Sequence, residues 1–219
     1  MISLAHYVGL DLGQAQDPTA LVLLERPRLS VQEMVKNGRP IYALRHLQRF
    51  QLGTPYPAIV ERVAQMLAAG PIVSAGIPTL VVDGTGVGRA VVDMFRDRLK
   101  NRVTCKMMAV TITGGHVVKS GSTGGMNVPK KELVGAVQVL LQSRRLLIAK
   151  SLADAVLLVK ELENFRVKVT AAANETFEAW REGLHDDLVL AVALAAWKGE
   201  IDLPKVPSGK GRVRERIVT

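Results

Sequence analysis

The sequence predicts an α/β fold: a central mixed β-sheet flanked by helices, in which an antiparallel meander of three strands is followed by parallel strands. Three observations predict it. Residues 6–51 carry three successive strand-like segments separated by turn residues. From Pro57 onward, stretches of helical period alternate with short apolar strands, the pattern of strand–helix–strand units. The last regular segment is apolar all round, as only a buried helix can be.

In chain order, His6 to Glu25 reads as two strands joined by a tight turn. Tyr7, Val8 and Leu10 supply β-formers, Ala20 to Leu24 is a continuous apolar run, and Gly13 with Asp17-Pro18 makes the turn. Arg39 to Gln51 alternates loosely after the Asn37-Gly38 turn signal and is the third strand. Pro57 to Ala69 places Ile59, Val63, Met66 and Leu67 at helical intervals, with Gly70-Pro71 closing the helix. Pro78 to Asp83 is a short buried strand, Gly84 to Gly88 a turn, and Arg89 to Leu99 a helix with Val91, Val92, Phe95 and Leu99 on one side. Cys105 to Thr113 is a strand that runs into a Gly- and Ser-rich loop, Thr113 to Asn127, expected to be mobile. Pro129 to Gln142 is helical and Leu146 to Ile148 a short strand. Ala153 to Phe165 is a helix that packs Val156, Leu158, Val159 and Leu162 inward. Arg166 to Thr170 is expected to pair with Thr176 to Trp180 as a hairpin across Asn174, and His185-Asp186-Asp187 opens a final helix, Leu188 to Trp197. Residues 1–202 are read as one domain and 203–219 as a basic, flexible tail.

Composition narrows the function. The 219 residues are 48% hydrophobic and 22% charged, enough for a full core in a soluble globular domain. A formal charge of +9 favours a polyanionic partner. Cys105 is the single cysteine, which excludes an internal disulfide partner and a Cys-rich zinc site. No apolar run is long enough to cross a bilayer, so no membrane partner is expected, and the chain reads as soluble and intracellular.

The carboxylates are oddly placed. Asp11 stands between two leucines inside the first strand, where an ionised carboxylate costs several kcal/mol unless a cation meets it or it lies at a strand edge. Asp83 ends the fourth strand, and Asp186 and Asp187 stand at the mouth of the buried helix. If the fourth strand pairs in parallel beside the first, Asp11 and Asp83 are neighbours at the carboxyl edge of the sheet, where open α/β sheets carry their sites. Like charges so close disfavour joint ionisation without cations. Oxygen-only ligation selects Mg²⁺ or Mn²⁺, and two such ions roughly 3.5–4 Å apart activate water and stabilise the leaving oxygen of a phosphodiester. Each aspartate also has a plainer use: Asp83 can cap the turn after it, and Asp186 or Asp187 can be a helix N-cap.

Three motifs, Val8-Gly-Leu-Asp-Leu-Gly13 with Asp17-Pro-Thr-Ala20, Val81-Val-Asp-Gly-Thr-Gly-Val-Gly88, and His185-Asp-Asp-Leu-Val-Leu-Ala191, resemble the nuclease domain of large terminase subunits of tailed bacteriophages, within the ribonuclease H-like superfamily. Val128-Pro-Lys-Lys-Glu-Leu-Val134 and Arg145-Leu-Leu-Ile148 resemble it too, and the likeness runs from Tyr7 to Trp197. The resemblance implies a ribonuclease H-like fold and a metal-dependent endonuclease that cuts concatemeric viral DNA during genome packaging. It implies Asp11, Asp83 and Asp187 as metal ligands with Asp186 auxiliary, His185 as a hydrogen-bonding neighbour of the ligands, and a two-ion Mg²⁺ or Mn²⁺ site. Asp17 matches a family position, although a turn role suits it better. Double-stranded DNA is the implied partner, with a packaging ATPase domain, the small terminase subunit and the portal as further ones. The implied setting is the cytoplasm of a phage-infected or prophage-carrying bacterium. The chain departs from the family in having no Gly-x-x-x-x-Gly-Lys-Ser/Thr loop, so it reads as an isolated nuclease domain or a stand-alone relative.

Phosphate contacts are expected from Lys119, Lys130, Lys131, Arg144, Arg145, Arg166 and Lys168, giving salt-dependent, sequence-independent affinity. Three other readings stay open. One is a resolvase- or transposase-like nuclease of the same superfamily. Another is an ATP-binding enzyme of the actin and sugar-kinase fold, because the Asp-Leu-Gly hairpin resembles their phosphate loop. The third is a DNA-binding module without catalysis.

Overall fold

The structure, a computed structural model, describes residues 3–13, 17–86, 88–121, 125–171 and 186–205. Strand β1 (Leu4–Asp11) pairs antiparallel with β2 (Ala20–Pro27), and β2 with β3 (Tyr42–Arg49), so the predicted meander is present. Strand β4 (Thr79–Asp83) lies parallel to β1 on its other side. Beyond it come β5 (Lys106–Thr113), β7 (Met126–Pro129) and the short β6 (Lys119–Ser120), while β8 (Leu146–Ile148) adds parallel to β3. The sheet has eight strands in the order β6-β7-β5-β4-β1-β2-β3-β8.

Helices cover both faces. On one, α2 (Tyr56–Leu67), α3 (Gly70–Ser74) and α4 (Gly88–Lys100) bury Ile59, Val63, Leu67, Ile72, Phe95 and Leu99 against Val8, Leu10, Leu80 and Val82. On the other, α5 (Lys130–Gln142), α6 (Ala155–Ala171) and α7 (Asp187–Ile201) pack over Tyr7, Val22, Leu44, Val81 and Val110. Helix α7 rests on β1 and β2 and is covered in turn by α5, which is why no side of it is polar. Each fully buried Leu or Val here contributes about 1.5–3 kcal/mol. Gly9 sets how close α7 comes: a Cβ there would lie 1.9 Å from the Ala191 carbonyl oxygen.

Several expectations need correction. The segment before β3 holds a helix, α1 (Val31–Asn37), with a capping box: Ser30 Oγ accepts from Glu33 N at 3.2 Å, and Ser30 N donates to Glu33 Oε2 at 2.7 Å. Gly70-Pro71 starts a short helix of its own, with Pro in its first turn. The expected loop from Thr113 to Asn127 contains β6 and the start of β7, because its backbone finds partners in β5 and within itself. Arg166 to Thr170 is not a strand but the continuation of α6, since no Gly or Pro interrupts the helix before Ala171. The other half of that expected hairpin, Thr176 to Trp180, lies outside the described residues. In α6, Leu158 and Leu162 are buried as expected, whereas Val156 and Val159 are exposed.

Candidate active site

Side chains of a strand alternate between faces. Tyr7, Gly9 and Asp11 therefore point to the α7 face of β1, and Val81 and Asp83 to the same face of β4. Parallel pairing sets Leu10 against Val82, so the residues that end the two strands, Asp11 and Asp83, stand side by side at the carboxyl edge. Helix α7 runs back across the sheet from that edge, with Asp187 in its first turn four residues before Ala191, whose carbonyl covers Gly9. Asp11, Asp83 and Asp187 are all buried.

Burial raises the Asp11 carboxyl well above the usual range, and the charges of Asp83, Asp187 and Asp186 raise it further, in that order. Asp83 is also raised by burial, opposed by hydrogen bonds from Thr85 and Asp11 and by the charge of Lys130. Thr85 N donates to Asp83 Oδ1 at 2.7 Å, so Asp83 caps its turn while facing Asp11. Lys130, at the start of α5, lies 3.6 Å from Asp186. Arg49 Nη2 lies 3.3 Å from Asp187 Oδ2. Among the described residues no group of three His, Cys, Asp or Glu side chains is closed around a common metal position. The donors fit a hard divalent cation by their chemistry: buried oxygens only, with negative charge in excess.

No protein-family model and no curated protein sequence matches the chain. Solved structures do, among them three of the human cytomegalovirus terminase nuclease domain, each 13% identical in sequence. One, Mn-soaked, gives a TM-score of 0.52 over 87% of this chain and 83% of that one. A second, Mn-soaked and inhibitor-bound, gives 0.53 over 88% and 82%. A third gives 0.55 over 89% and 84%. The fold is that of a terminase nuclease domain. It is a ribonuclease H-like sheet, as the sequence predicts.

Within this terminase-nuclease fold the expected basic residues separate. Lys130 stands at the mouth of the site beside Asp186, and Lys131 and Lys119 are exposed on α5 and the outer strand β6. Arg144 and Arg145 lie beyond the far end of the 13-residue α5, about 20 Å from Lys130 at 1.5 Å per residue. Arg145 is not a surface group. It is buried, donates to the Pro40 carbonyl at 2.9 Å and pairs with Glu200, so its guanidinium is committed to the core rather than to phosphate. Arg166 and Lys168 sit in the last turns of α6. His185 lies outside the described residues.

Two residues escaped the sequence reading. Asp186 is the N-cap of α7 by position, yet its side chain accepts no capping hydrogen bond. Glu161 of α6 supplies the cap, its Oε2 accepting from Leu188 N at 3.1 Å and Val189 N at 3.3 Å. Arg49, the last residue of β3, hydrogen-bonds Glu161 Oε1 and reaches Asp187, so one guanidinium ties β3, α6 and α7 together. Burial pushes the Glu161 carboxyl up to about 7 against the lowering charge of Arg49. The available signal was a Glu three residues after Leu158 and next to Leu162, on the buried stripe of a helix.

Proposed function

We propose that this chain is a metal-dependent endonuclease that hydrolyses DNA phosphodiester bonds, with Asp11, Asp83 and Asp187 as metal ligands. The observation that carries the reading is that these three buried carboxylates, from two parallel strand ends and the first turn of α7, lie at one edge of a terminase-nuclease fold, close enough for Asp83 and Asp187 to act on the charge of Asp11. Asp11, Asp83 and Asp187 would hold Mg²⁺ or Mn²⁺, which as a pair would supply an activated water and charge to stabilise the leaving oxygen. Asp83 is oriented by Thr85, and Asp187 by Arg49 and the Glu161 cap, so both are aimed before substrate arrives. Lys130 stands against Asp186 at the mouth of the site, positioned to meet a phosphate as it enters. Lys119 and Lys131, exposed on β6 and α5, would add salt-dependent phosphate contacts. We infer a role in cutting concatemeric viral DNA at packaging, alongside an ATPase motor, in a phage-infected or prophage-carrying bacterium.

A plasmid-nicking assay with Mg²⁺, Mn²⁺ or EDTA, on wild type and Asp83→Asn, tests the reading. Metal-dependent cutting that the variant loses is expected. DNA binding without cutting under either metal would replace the enzyme with a binding module. ATP-dependent heat protection with neither binding nor cutting would favour the actin-like alternative.

A further inference from the structure

The amino ends of the same parallel strands frame a second concavity, of about 420 Å³, between the starts of β1, β4 and β5 and the end of α7. It lies away from the carboxylates: from Tyr7 to Asp11 along β1 is about 13 Å at 3.3 Å per residue. The charged groups lining it, apart from His6, which faces Glu25 at 3.1 Å, are Arg26, Arg28, Lys106, Lys198 and Asp202, four cations against one carboxylate. Asp202 is already engaged by Lys198 and by the Tyr7 hydroxyl.

Arg26 is the unusual member. It is 4% exposed, yet among the described residues no carboxylate forms an ion pair with it. Nη2 donates to Tyr7 Oη at 2.9 Å and Nη1 to the Pro27 carbonyl at 3.1 Å, while Nε has no hydrogen-bond partner. The guanidinium carbon lies 5.3 Å from the Tyr7 ring centre and 6.0 Å from that of Tyr42. Aromatic faces return only about 0.5–2 kcal/mol to a cation, less than burying a guanidinium costs. A concave wall of one sign also focuses its field on whatever enters. Arg28 spends Nε on the Leu4 carbonyl at 2.7 Å, and the exposed Lys106 stands on the rim.

We propose that this pocket binds a small polyphosphate anion, either inorganic pyrophosphate or the phosphate tail of a nucleotide, with Arg26 as its buried anchor and Arg28, Lys106 and Lys198 around the rim. One carboxylate among four cations favours a multiply charged ligand over a single carboxylate or chloride. A half-open concavity of this size favours a compact molecule over a DNA backbone, which needs an extended track.

The test is calorimetric titration of the full chain in EDTA with sodium pyrophosphate and, separately, with ATP, so that no metal links the ligand to the carboxylate edge. Saturable binding with a Kd below about 1 mM is expected. It should weaken at least about tenfold in the rim variant Arg28→Ala/Lys106→Ala, whose melting temperature checks the fold, and stay unchanged in Asp83→Asn. Pyrophosphate binding as tightly as ATP would identify the phosphates as the whole determinant, while ATP alone binding would assign the nucleotide form. Absence of saturation by both ligands, or affinity indifferent to the rim variant, would overturn the proposal. So would a short DNA strand that binds through these rim residues when neither small ligand does.

Discussion

The two ends of the sheet treat buried charge in opposite ways. At the amino edge, Glu200 near the end of α7 is met by Arg145, by Arg39 at 3.2 Å and by the Tyr42 hydroxyl at 2.9 Å, and burial, with that negative charge beside it, pushes the phenol's pKa up. At the carboxyl edge, Asp11 faces Asp83, Asp187 and Asp186, and burial together with their like charge raises its carboxyl well above the usual range. The first arrangement closes a core; removing one partner of such a pair strands the other. The second gains no stability from its own crowding, and makes sense as a site kept ready for a cation. Glu200 is half-buried and Asp11 buried, and what separates the structural carboxylate from the chemical one is the sign of its neighbours.

The largest expected effect tests the helix that spans both edges. Gly9→Ala should cost more than about 4 kcal/mol or prevent folding, because backbone carbonyl, not a flexible side chain, blocks the new methyl. Chemical denaturation would measure it, and a variant of near-normal stability would mean that α7 does not sit on β1 as described. Next comes a pair of opposite sign. Glu200→Gln should destabilise by about 3 kcal/mol with cutting per folded molecule retained. Asp11→Asn should abolish cutting yet raise the metal-free melting temperature by about 2–4 °C, as for a gain of about 1 kcal/mol in a chain of this size. Equal loss of stability in both would erase the contrast between the edges.

A smaller effect is expected between these extremes. Glu161→Gln weakens the cap on α7, costing about 1–2 kcal/mol. It should also lower Mn²⁺ affinity about 10–100-fold, as loss of a ligand's supporting partner does, read as the Mn²⁺ concentration that half-raises the melting temperature. A stability loss with unchanged Mn²⁺ affinity would make Glu161 purely structural. The smallest effect is a gain. Arg144 holds φ 54° beyond α5, with its own N–H on the Leu141 carbonyl at 3.1 Å and the next N–H on Leu140 at 2.8 Å. Glycine suits that helix ending, so Arg144→Gly should stabilise by about 1 kcal/mol in denaturant melts and leave cutting untouched.

Much of the carboxylate edge was legible because its signals are local. A polar residue inside an apolar strand, a strand ending in Asp before a Gly turn, and two Asp opening an apolar helix are visible within a few residues each. The capping box of α1 was equally local and was passed over. Arg145 was misread because exposure was assumed for an arginine, and nothing near it in sequence announces Glu200.

By itself, then, the sequence determined the strand and helix periods, the three-strand meander, and the candidate carboxylates, since each follows from side-chain alternation or helical spacing along one segment. Tertiary structure decided the rest. That Glu161 caps α7, that Arg49 bridges Glu161 to Asp187, and that Arg26 lies buried between two tyrosines all depend on partners far away in the chain. A charge does not carry its neutralising partner in its own sequence window. Only the packing of α6 and α7 over the sheet fixes which carboxylates meet a cation and which meet one another.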